Sequence, residues 1–113
     1  MRYHTYVRRH RKHWSLSQED VARLLGVSQS AASRCENGEC APDLNIALSL
    51  QVVFGPSPRA LFPALYRKVE EAVMAAAAEM DRELEGKTDP ISVRKQQLLT
   101  AMSVRSGRSP DEL

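Results

Sequence analysis

A chain of 113 residues with 42% apolar residues and a net charge of +2 has room for one compact domain and an appendage. No apolar run is long enough to span a bilayer, and Met1-Arg2-Tyr3-His4 lacks the apolar core of a secretory signal, so a membrane class is excluded and a cytoplasmic location is expected. The total charge is too small to argue for a polyanionic partner. In a reducing compartment the two cysteines, Cys35 and Cys40, are not expected to form a disulfide.

The charge is unevenly spread. The first thirteen residues carry Arg2, Arg8, Arg9, Arg11 and Lys12 and no acid, whereas the stretch from 44 to 86 is richer in acids than in bases. Residues 3–13 read as a first helix, with Tyr3, Tyr6, Val7, His10 and Trp14 at the three-and-four spacing of a core-facing stripe. His10 and His13, taken with Cys35 and Cys40, do not have the order or spacing of a zinc finger. No metal or cofactor is expected.

The most informative stretch runs from Ser15 to Gly38. Ser17 is a helix N-cap with Asp20 in the acidic slot of a capping box. Val21, Leu24 and Leu25 give the apolar stripe of a second helix, and Gly26 stops it in the left-handed conformation that glycine adopts without steric cost. Ser28 then caps a third helix, which ends before Gly38. Ala32 and Cys35 of that helix are expected to face inward, and its other side is polar. Two helices joined by a tight glycine turn make a helix-turn-helix, whose second member enters the DNA major groove. Glutamine suits adenine, arginine suits guanine and serine suits either, so Gln29, Ser30, Ser33 and Arg34 are candidate readers of base edges. The basic first helix lies beside this element, and Arg11 is the best candidate there for a phosphate contact.

Asp43 caps a fourth helix with Leu44, Ala47, Leu50 and Phe54 facing inward, ended by Gly55. Ser57-Pro58 opens a short fifth helix, since proline suits the first helical position, and Leu61 and Phe62 close the core. Residues 64–85 are rich in strong helix formers. Tyr66, Val69, Val73, Ala76, Met80 and Leu84 form a seam along them. After Gly86, Asp89-Pro90 starts a further helix on which Ile91, Leu98, Ala101 and Met102 line one face, interrupted by Arg94 and Lys95. Residues 107–113 are expected to be a flexible tail.

Leu16-Ser17-Gln18-Glu19, Ala22, Leu25-Gly26-Val27-Ser28, Ser33-Arg34, Glu36-Asn37-Gly38, Pro42 and Phe54-Gly55 together resemble the Cro/lambda-repressor-like, or xenobiotic-response-element (XRE), helix-turn-helix family. The resemblance spans roughly residues 6–62, about half the chain. It implies an all-α fold of five short helices over residues 1–63, here followed by one long and one shorter amphipathic helix over 64–106. It implies that Gln18 holds a phosphate and that Gln29, Ser30 and Arg34 contact bases. Ser33 and Asn37 match positions that touch bases or backbone. Ser17 is expected to join Gln18 in phosphate binding. Glu39 and Cys40 depart from the pattern, because family members often carry a base there, and a carboxylate beside phosphates is repulsive.

The expected function is a sequence-specific DNA-binding regulator, a dimeric repressor on double-stranded DNA, paired through the seams over 66–84 and 91–102. Two alternatives remain open. One is an antitoxin whose last two helices grip a toxin; the other is a protein-interaction module that has kept the fold without DNA binding. No nucleophile–base pair or glycine-rich phosphate loop suggests an enzyme.

Overall fold

A computed structural model describes residues 2–107. All but the first residue, Gly107, of the expected tail lies outside them. Among the described residues the chain is all-helical, in the order α1 (Val7–His13), α2 (Gln18–Leu25), α3 (Gln29–Glu36), α4 (Leu44–Phe54), α5 (Pro58–Leu61), α6 (Pro63–Leu84) and α7 (Pro90–Arg105). No helix there is long and apolar enough to cross a membrane. The fold comprises two compact units, one up to Arg67 and one from Lys68 onward.

Local chemistry sets the helix starts. The Ser17 hydroxyl accepts from the Asp20 N–H at 3.0 Å while the Asp20 carboxylate accepts from the Ser17 N–H at 2.9 Å. Ser28, Asp43, Ser57 and Asp89 each accept from the N–H three residues on, so every one of these termini has one otherwise orphaned donor satisfied. Hydrogen bonding from Ser17 lowers the pKa of Asp20, and hydrogen bonding from Ser92 lowers that of Asp89. A depressed folded-state pKa stabilises the fold above the unfolded value of about 3.9 and ceases to do so as pH falls through the folded value. The difference in melting temperature between wild type and Asp20→Asn is therefore expected to narrow as pH drops below about 4. A difference that stayed constant from pH 7 to pH 3 would contradict this assignment.

In the first unit the core is Val7, Cys35, Leu50, Leu61 and Phe62, flanked by Leu25, Ile46, Phe54 and Leu65. Leu50 and Leu61 are fully buried, each contributing about 2–3 kcal/mol relative to exposure. Burial pushes the Cys35 thiol up to about 11, the behaviour of a small core hydrophobe rather than a reactive thiol.

Several expected core positions lie outside it. The first helix begins at Val7, not Tyr3, and residues ahead of it form a segment without regular secondary structure that is held by its backbone: the Tyr3 N–H donates to Gly38 O and the Tyr6 N–H to Leu61 O. Trp14 falls just past the end of this shorter helix, so helical spacing no longer aims it inward; it is 62% exposed, edge-on to His13. On α2 the buried pair is Val21 and Ala22, with Leu25 beside them, and Leu24 faces out. On α4, Ala47 and Leu50 are buried, but Leu44 is exposed with Leu48 and Val52. That helix is apolar nearly all round, so its sequence did not mark the inward side.

The second unit shows the same kind of rotation. Its core is Ala77, Leu84 and Leu99, with Met102 packed against them, and Met74 is also buried. The expected α6 seam shares only Leu84 with this stripe; Tyr66, Val69, Val73, Ala76 and Met80 are exposed. On α7 the inward residues are Ser92, Leu99 and Ser103, whereas Ile91 and Leu98 face out. Ser103 Oγ donates to Leu99 O, so this inward hydroxyl is satisfied within its own helix. Gln96 Nε2 donates to Leu84 O at 2.8 Å and ties the two helices together near their connecting loop.

Candidate nucleic-acid interface

The candidate surface is the outer side of α3. At 3.6 residues per turn, Gln29, Ser30, Ser33, Arg34 and Asn37 fall within an arc of about 140°, and Ala32, Cys35 and Glu36 occupy the opposite arc. The burial follows that division. Gln29, Ser30, Arg34 and Asn37 are exposed and Ser33 is half-buried, whereas Ala32, Cys35 and Glu36 are buried. Among the described residues, Gln29, Ser30 and Arg34 have no side-chain partner, so their donors and acceptors are turned to solvent. The helix packs against α2, and the turn between them uses Gly26 in the left-handed region.

Ser17 and Gln18 sit at the start of α2. The Ser17 hydroxyl is occupied as a cap acceptor but retains its own proton for donation. Gln18, at the first helical position, is half-buried.

Arg11 differs from the expectation. Its Nε and Nη2 each donate to a Glu36 carboxylate oxygen at 2.9 Å, and its Nη1 donates to Leu16 O at 2.9 Å. The two side chains are only 12% and 2% exposed. Donating to the Glu36 carboxylate raises the guanidinium pKa further, so the charge is permanent. With its donors committed inward, Arg11 braces α1 against α3 instead of facing a phosphate. The Thr5 hydroxyl adds a second tie, donating to Glu36 O at 2.7 Å. Sequence reasoning missed this brace although a signal existed. Glu36 follows Ala32 by four residues and Arg11 follows Val7 by four, so each charge sits on a helix's inward stripe, where it requires an opposite partner.

Glu39, the acid that departs from the family pattern, also has a partner: Arg2 Nη2 lies 3.1 Å from its Oε1 on the surface. Such an exposed pair contributes little to stability, but it neutralises the carboxylate locally beside the end of α3.

The described residues hold no cluster of three or more histidine, cysteine or acidic side chains that could bind a metal ion. No curated protein and no solved structure gives a significant match. A family model described as a helix-turn-helix domain matches residues 5–65, a little over half of the 113-residue chain. That match covers the capped α2, the glycine turn and the polar-faced α3, and the chain belongs to the helix-turn-helix domain family.

Proposed function

We propose that this chain is a cytoplasmic, sequence-specific transcription regulator of the XRE type, a dimeric repressor that inserts α3 into the major groove of double-stranded DNA. The observation that carries this reading is the outward, unpartnered polar arc of Gln29, Ser30 and Arg34 on a helix that gives the core little beyond Ala32 and Cys35. Gln29 pairs one donor and one acceptor, which suits the adenine edge, and Arg34 offers paired donors, which suit the guanine edge, and Ser30, Ser33 and Asn37 supply shorter polar contacts around them. Ser17 and Gln18 at the start of α2 hold the DNA backbone and set the angle of approach. Arg11 serves this surface indirectly, by fixing the base of α3.

The test begins by selecting a preferred site from random duplex DNA and measuring binding to it and to a scrambled duplex across a salt series. Binding to the scrambled duplex is expected to weaken steeply with salt as counterions are released. Arg34→Ala is expected to cost about 1–3 kcal/mol at the selected site and to relax base preference at one position. An unchanged ratio of selected to scrambled affinity in that variant would remove Arg34 from the reading set.

A further inference from the structure

The α6–α7 hairpin leaves one apolar face uncovered. Counting 3.6 residues per turn on each antiparallel helix, Val69, Val73 and Met80 of α6 and Ile91 and Leu98 of α7 project to the same side of the hairpin. All five are between 44% and 68% exposed. On the other side the exposed large hydrophobics are Val93 and Val104, with Arg82 and Thr100 lining the groove between the helices.

We propose that this face receives a second copy of the chain, the two hairpins running in the same direction to form a four-helix bundle. The inference rests on the dimeric-regulator reading and names its surface and orientation. Two observations select this occupant. The first is area. The five side chains expose roughly 450–500 Å² of apolar surface, in the upper part of the range for the largest patch on a monomer, where such patches are often functional, and with its charged rim the face approaches the 800 Å² per partner of a standard interface.

The second is charge complementarity. The far edge of α6 on this side carries Glu83, and the first turn of α7 carries Arg94 and Lys95, the bases that interrupt its apolar seam. None of the three has an ion-pair partner among the described residues. Gln96 donates to Leu84 O, which places the turn carrying Arg94 and Lys95 and the last turn of α6 carrying Glu83 at the same, loop-proximal end of the hairpin. A two-fold axis parallel to the hairpin places α6 of one copy against α7 of the other with those levels preserved. Glu83 of each copy then meets the basic turn of its mate. An axis perpendicular to the hairpin reverses the levels and separates these charges.

The experiment is sedimentation equilibrium of the full chain without DNA. The expected mass is that of two 12.7 kDa chains. Val73→Glu combined with Leu98→Glu is expected to give a monomer with unchanged helical circular dichroism, since both positions are exposed. Glu83→Arg is expected to weaken association about tenfold, through two lost attractions and two new repulsions per dimer. Adding Arg94→Glu and Lys95→Glu to that variant is expected to restore association to within about threefold. A wild-type monomer at about 100 µM, a dimer indifferent to Val73→Glu and Leu98→Glu, or a charge swap that fails to rescue would each overturn the proposal. Because the mass is measured without DNA, a dimer that ignores these substitutions leaves the base-reading assignment standing. Conversely, loss of Arg34-dependent discrimination with the dimer intact overturns that assignment alone.

Discussion

Replacing Arg11 with alanine is expected to destabilise the fold by roughly 3–5 kcal/mol, the largest effect of any single side-chain truncation outside the apolar core. The Glu36 side chain is only 2% exposed and accepts two of the three guanidinium bonds. Truncating Arg11 leaves a carboxylate with neither water nor a cation, and it also frees the Leu16 carbonyl that Nη1 satisfies. For a domain of this size each kcal/mol is worth about 4–8 °C, so the thermal midpoint should fall by about 12–40 °C. Arg11→Lys should recover only part of the loss, because an ammonium cannot make the planar two-pronged contact. Replacing both residues by methionine should cost far less than either single change, since no buried charge is then left unpaired. Thermal unfolding of the three variants tests this. A midpoint within a few degrees of wild type for Arg11→Ala would show that the pair does not brace the two helices.

Gly38→Ala is expected to be nearly as severe, at about 2–4 kcal/mol. Gly38 has φ +71°, and a Cβ built on it would overlap the backbone carbonyl of Tyr3. The left-handed conformation alone accounts for 1–2 kcal/mol of that figure. The rest comes from displacing the segment ahead of α1, which would break the bond from the Tyr3 N–H to Gly38 O and strain the neighbouring bond from Thr5 to Glu36 O. Gly26→Ala is the control: its φ is similar but nothing lies within 4 Å of the added carbon, so only the conformational part should be seen. Equal losses at the two positions would mean that the packing against Tyr3 contributes nothing.

The contrast between those glycines shows where sequence was sufficient. Local rules work where the cause is local: Ser17 with Asp20, Ser28, Asp43, Ser57-Pro58 and Asp89-Pro90 mark helix starts that the structure places within a residue or so of the expectation. The helix-turn-helix and the polar arc of α3 were legible for the same reason, since glycine placement and the scarcity of large apolar residues are properties of a short segment. What the sequence did not disclose depends on the partner surface. The inward stripes of α6 and α7, through Met74, Ala77 and Leu84 and through Ser92, Leu99 and Ser103, are rotated from their most apolar faces, and that choice is made by the two helices together rather than by either sequence alone. Trp14 was assigned inward by a spacing that holds only while the helix continues. Arg11 was read by its charge and its neighbours in sequence, whereas its role is set by Glu36, 25 residues away.

The division of labour within α3 has an evolutionary corollary. Ala32, Cys35 and Glu36 hold the helix in place, and Gln29, Ser30 and Arg34 share none of that work. If those three positions read bases as proposed, exchanges among polar side chains there alter what is recognised at almost no cost to folding. A lineage built on this scaffold can therefore drift to new target sites one substitution at a time without passing through unfolded intermediates.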